Sequence, residues 1–127
     1  MKAMVVDDSR AMRAILAKHL RELGFQVHEA KSGLDALMVL HKIGGAELVM
    51  VDWNMPEMDG FEFLQRVRSE SEYDAVRIMM VTTESEMSQV ELALEAGANE
   101  YLMKPFDREA LLEKLMLLGI DPGQQAA

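Results

Sequence analysis

Leu48-Val49-Met50-Val51-Asp52-Trp53-Asn54-Met55-Pro56-Glu57-Met58-Asp59-Gly60 is the stretch whose reading decides the fold. Leu48 to Val51 is an unbroken apolar run, the pattern of a strand buried on both faces. It ends on a carboxylate, Asp52, and a loop punctuated by Pro56 and Gly60 follows. An acid directly after a buried run needs a partner. In open α/β sheets the carboxyl ends of the strands border the ligand crevice. Two more runs end in charge: Ala3 to Val6 leads into Asp7-Asp8, and Tyr101 to Met103 leads into Lys104. We therefore expect three acids and a lysine to converge at one end of one sheet, with Asp52 as the reactive group.

Outward from that stretch, strands alternate with helices. Ala3 to Val6 reads as the first strand, and Ser9 caps a helix running through Leu23, with Met12, Ile15, Leu16, Leu20 and Leu23 on its inner face. Phe25 to Ala30 is a second strand whose mixed pattern suits a sheet edge. Ser32 caps helix two, with Leu34, Leu37, Met38 and either Leu40 or Ile43 inward, and Gly44-Gly45 ends it. Asp59 caps helix three, with Glu62 in the reciprocal position and Phe61, Leu64 and Val67 inward. Arg77 to Val81 is strand four. Helix four is expected from Ser85 to Ala96, with Met87, Val90, Ala93 and Leu94 apolar. Glu100 to Met103 is strand five, and Asp107 caps helix five, with Leu111, Leu112, Leu115 and Met116 inward and Gly119 at its end.

This alternation predicts an α/β fold, a flavodoxin-like three-layer (βα)5 arrangement whose five-stranded parallel sheet has the order 2-1-3-4-5. Strands one and three are then neighbours, and Asp7, Asp8 and Asp52 share one end. We expect one domain over residues 1–120 and a frayed tail over 121–127.

Composition narrows the function. The 22 acidic against 13 basic residues give a net charge of −9, a surface that repels phosphate backbones, so nucleic-acid binding is not expected. No apolar run approaches the roughly 20 residues of a membrane-spanning helix. The absence of cysteine and of a signal-peptide pattern fits a cytoplasmic protein. The 12 methionines are read mostly as adaptable core filling. His19, His28 and His41 share no metal spacing and are expected to be solvated.

Three close carboxylates call for a counter-charge. Hard oxygen donors suit Mg²⁺ or Mn²⁺. Asp8 and Asp52 are the expected side-chain ligands, with the Asn54 backbone carbonyl beside them and Asp7 acting through water. Aspartate can act as a nucleophile and form an aspartyl-phosphate. Lys104 would then supply positive charge and Thr82 a hydroxyl for the phosphoryl oxygens. Singly, each has an ordinary explanation: Asp7-Asp8 as a helix-start pair, Lys104 as an exposed turn lysine, Thr82 as a strand-end residue. A calcium loop starting at Asp52 fails, because Pro56 stands at a ligand position and Glu57 where that loop needs glycine. An FMN site fails because Asp7-Asp8 would repel a phosphate lacking metal.

The segments Val5-Val6-Asp7-Asp8-Ser9, Val51 to Gly60, Val81-Thr82-Thr83-Glu84 and Tyr101-Leu102-Met103-Lys104-Pro105-Phe106 resemble the receiver domains of two-component response regulators, most of all those of the chemotaxis type. The resemblance runs to about Leu118. It implies that Asp52 accepts a phosphoryl group from a phosphohistidine on a sensor histidine kinase. Asp7, Asp8, Asp52 and the Asn54 carbonyl would hold Mg²⁺, Lys104 would pair with the phosphoryl group, and Thr82 and Tyr101 would be the switch pair. Asn54 and Glu84 would modulate the lifetime of the phosphoryl group, and a partner phosphatase could shorten it. The Lys104-Pro105 bond would be cis. A target protein would dock on the surface of helix four, strand five and helix five. Thr83 departs from the small residue usual there. On this reading the chain is a stand-alone, monomeric signalling switch rather than a turnover enzyme. The alternatives are a phosphorelay or phosphate-sink receiver, which shares every site residue, and a small-molecule phosphohydrolase. The last usually carries an acid/base Asp two residues past its nucleophile, where this chain has Asn54.

Overall fold

The computed structural model describes residues 1–121. Five parallel strands, β1 (Lys2–Val6), β2 (Gln26–Ala30), β3 (Leu48–Asp52), β4 (Arg77–Thr82) and β5 (Glu100–Met103), lie in the order β2-β1-β3-β4-β5. The helices are α1 (Arg10–Glu22), α2 (Gly33–Ile43), α3 (Gly60–Arg68), α4 (Val90–Glu95) and α5 (Arg108–Leu117). The flavodoxin-like order expected from the sequence is the one found, with β2 and β5 at the edges. Of the expected tail, residues 122–127 lie outside the described residues.

Both faces of the sheet are covered, which is why its strands read as continuous apolar runs. Met4, Val6, Val49, Val51, Ile78 and Met80 pack with Leu40 of α2, Phe63 and Leu64 of α3 and Ala93 of α4. Ala3, Val5, Met50, Met79, Val81 and Leu102 face the other way, against Leu16 and Leu20 of α1 and Leu111 and Leu115 of α5.

The helix starts follow the sequence closely. Ser9 accepts from the Met12 amide, Ser32 from Asp35, Asp59 from Glu62 and Asp107 from Ala110. Each satisfies an amide that the helix itself leaves without a partner.

The inward faces are less regular than expected. Ile15, Leu34, Met38, Leu94 and Met116 are exposed, Met38 by 72%. In α2 the buried positions are Gly33, Ala36 and Leu40. Small residues there let the helix approach the sheet, and apolarity alone does not say which edge of the stripe touches it. Phe63, fully buried in α3, was not expected inward.

The expected helix over Ser85 to Ala96 is also different. Glu84–Gln89 forms a 3₁₀ segment, and only Val90–Glu95 is α-helical. The Glu86 amide donates to the Thr83 carbonyl at 3.0 Å, and the Glu86 carboxylate accepts from the Thr83 amide at 2.9 Å. These bonds close a tight i→i+3 turn.

Candidate functional site: an acidic crevice at the carboxyl end of the sheet

Register brings the site together. Val6 pairs with Val51, Asp52 with Val81, and Thr82 with Met103. Asp7, one residue past its strand, therefore arrives at the level of Asp52; Lys104 lies two residues past that level, which Leu102 occupies, and its side chain reaches back to Asp52. The Asp7 amide donates to the Ala30 carbonyl at 3.1 Å, and the Lys104 amide to the Thr82 carbonyl at 2.6 Å, so both loops leave the sheet held by their neighbours.

Lys104 Nζ lies 3.2 Å from Asp52 Oδ1 and 3.6 Å from Asp7 Oδ2. Its side chain is largely buried, so it is not an exposed turn lysine. Asp7 is 1% exposed. One of its oxygens accepts from the Ser9 amide at 2.8 Å; the other, Oδ2, is buried and accepts no hydrogen bond. The Asp7 backbone carbonyl accepts from Arg13 Nη1 at 2.7 Å. Asp8 is exposed on the rim. Asp7, Asp8 and Asp52 each present an oxygen within 4.8 Å of the others. An all-carboxylate oxygen set with one buried, unsatisfied oxygen fits a hard divalent cation.

Burial pushes the Asp52 carboxyl up from 3.8 to about 6; the Asp7 charge adds to this, and Lys104 opposes it. The negative charge of Glu86, in the 3₁₀ segment, raises it further. No reading of the sequence singled out Glu86.

Gly60, too, carries more than its sequence position suggests. A Cβ there would be driven into the Asp52 carbonyl oxygen and lie 3.0 Å from the Trp53 Cα. The Gly60 amide donates to the Trp53 carbonyl at 2.8 Å, so the start of α3 is packed directly on the strand end that carries Asp52. A glycine at the first position of a helix, where most residues are better formers, was the available signal. In the loop between, Glu57 has a φ of 66°, a left-handed conformation unusual for a side-chain-bearing residue. Trp53 is buried and stacks on Phe61 with ring centroids 5.7 Å apart.

Thr82 is fully buried, and its hydroxyl donates to the Met87 sulfur at 3.6 Å. Tyr101 is half-buried; Lys114 Nζ sits 3.9 Å from its ring centroid and donates to Glu100 at 3.0 Å. Asn54 and Glu84 are exposed. The Lys104-Pro105 bond is cis. The histidines depart from expectation: His41 is exposed, but His19 and His28 are half-buried, each with a buried ring nitrogen lacking a hydrogen-bond partner. Phe106, from the loop after β5, lies against His19 with ring centroids 6.4 Å apart, a contact invisible in spacing.

Comparison with known proteins agrees with this geometry. A family model described as the response regulator receiver domain matches residues 3–116. The chain is 45% identical to a chemotaxis protein CheY homolog of Campylobacter jejuni over all of this chain and 99% of that one. It is 43% identical to the chemotaxis protein CheY1 of Helicobacter pylori over 91% of this chain and 94% of that one. Among solved structures, Vibrio cholerae CheY4 superposes with a TM-score of 0.83 at 36% identity, over 91% of this chain and 95% of that one. With five parallel strands in this order, a family match across nearly the whole chain and chemotaxis relatives above 40% identity, the chain belongs to the response regulator receiver domain family of two-component signalling.

Proposed function

We propose that this chain is a chemotaxis receiver switch, residues 1–120 acting as one unit, in which Asp52 accepts a phosphoryl group from the phosphohistidine of a sensor histidine kinase. The observation that carries this reading is the convergence of Asp7, Asp8, Asp52 and Lys104 from three separate strand ends. An Asp52 oxygen bonds phosphorus as the bond from phosphorus to the donor imidazole nitrogen breaks. The imidazole keeps the electron pair and leaves as the neutral ring once protonated. Lys104, already against Asp52, pairs with the phosphoryl oxygens and offsets their negative charge as they approach the aspartate. Asp8 and Asp52, with the Asn54 carbonyl, would hold Mg²⁺, or Mn²⁺ in its place, and Asp7 would act through water. A cation bound there supplies charge neutralisation for the phosphoryl oxygens.

Thr82 and Tyr101 form the switch pair: the threonine hydroxyl turns to the phosphoryl group and the tyrosine follows inward. The surface built by α4, β5 and α5 then changes its fit to a target protein. Asn54 and Glu84, exposed at the mouth, set how readily water or a partner phosphatase reaches the acyl phosphate. The protein works as a cytoplasmic monomer; among the described residues no helix is long and apolar enough to cross a membrane.

Intact-mass measurement after incubation with acetyl phosphate and Mg²⁺ tests the reading. The wild type gains one phosphoryl group and Asp52→Asn gains none. An unlabelled wild type, or a labelled variant, overturns it.

A further inference from the structure

The buried Thr82 hydroxyl has an acceptor that its role as a switch does not require. Its Oγ1 donates to Met87 Sδ at 3.6 Å, five residues on, in the 3₁₀ segment Glu84–Gln89. Met87 also lines a groove of about 370 Å³ together with Tyr101, Phe106 and Lys114. One unbranched side chain therefore touches both the switch hydroxyl and the groove beside the tyrosine. A thioether is a weak acceptor, whereas hydrogen bonds to charged oxygens are roughly twice as strong as neutral ones. The sulfur can hold the hydroxyl while no phosphoryl group is present and yield it when one arrives.

We propose that Met87 is the resting-state latch of the switch: its sulfur holds the Thr82 hydroxyl in the resting rotamer, and its release reshapes the groove next to Tyr101. This positioning role rests on the reading that Asp52 is phosphorylated and that Thr82 bonds the phosphoryl group. It differs from plain core packing in one respect, since it needs an acceptor atom at position 87 and not merely apolar volume. Losing that acceptor removes a competitor for the hydroxyl and shifts the population towards the active state.

Calorimetric titration with beryllofluoride and Mg²⁺, a mimic of the phosphoryl group, tests the latch. Met87→Leu is expected to bind the mimic about three- to tenfold more tightly, the range set by one hydrogen bond. Met87→Gln, which restores an acceptor at similar reach, is expected to bind no more tightly than the wild type. In a Thr82→Val background Met87→Leu is expected to change nothing. If Met87→Leu leaves affinity unchanged or lowers it, or acts equally without the Thr82 hydroxyl, the latch is overturned while the receiver reading stands. If the wild type fails to bind the mimic, or Asp52→Asn binds it as well, the receiver reading falls and the latch with it.

Discussion

Asp52 holds its proton to about pH 6 because burial strips water from its carboxylate and Asp7 repels its charge. An unfolded chain would release that proton near 3.8. The folded state thus binds more protons between the two values. This group's contribution to stability is complete below about pH 4 and is lost as pH rises through about 6. Without metal, Asp52→Asn should therefore melt higher than the wild type at pH 7, by about 1–2 kcal/mol after discounting for solvent screening. The two curves should converge near pH 4. Thermal melts in chelator across that range check this, and a variant that melts lower at pH 7 would refute a repulsive acidic cluster. Protonation also competes with metal, so Mg²⁺ affinity should fall as pH drops below about 6. The charge and hydrogen bond of Lys104 lower the Asp52 pKa, against burial and the neighbouring acids. Lys104→Ala should move the Asp52 titration above 6, read by carboxyl-carbon NMR. Phosphorylation in that variant should no longer alter target affinity.

At the scale of elements, capping was legible because it is local: a serine or aspartate and the amide three residues on are fixed by the chain itself. The contact between the first turn of α3 and the end of β3 was not. Gly60 is separated from Asp52 by a loop, and only the folded loop shows that no Cβ fits against the Asp52 carbonyl. Gly60→Ala should destabilise by about 3 kcal/mol or more, because the obstacle is backbone and cannot swing aside. Asp59→Ala, one residue earlier, should cost only about 1 kcal/mol, the loss of a cap. Urea unfolding of the two variants distinguishes them. The 3₁₀ segment before α4 was missed for a related reason. Glu86 reaching back to the Thr83 amide forms a capping box, which marks a helix start but does not say whether the first turns are 3₁₀ or α.

Across the whole molecule, stability and chemistry sit at opposite ends of the sheet. Arg68 donates to the carbonyls of Gly97, Tyr73 and Val76 and to Asn99 Oδ1, at 2.7–2.9 Å, tying α3 to the loops that enter β4 and β5. Burial lowers its pKa, with Asp74 working against that. Gly97, at a φ of 115°, leaves room for the Arg68 stem, against which a Cβ would come within 2.8 Å. Arg68→Met should cost about 3 kcal/mol, since three part-buried carbonyls lose their donor at once. Mg²⁺ affinity of the folded variant should stay unchanged, as the network lies at the amino ends of the strands. Denaturant unfolding paired with Mg²⁺ titration checks both halves.

Residue type and order along the chain determined the strand-helix alternation, the parallel sheet, its strand order, and the acids and lysine that end its strands. Each of these is written in short-range pattern, in continuous apolar runs, caps and the charges that stop them. Only the tertiary structure decided which helix faces touch the sheet, that Asp7 keeps a buried oxygen unsatisfied, that Lys104 spans Asp7 and Asp52, and that the Met87 sulfur holds Thr82. Those are contacts between segments, set by how closely elements approach one another, and a distance of that kind leaves no mark on the spacing of residues along a single chain.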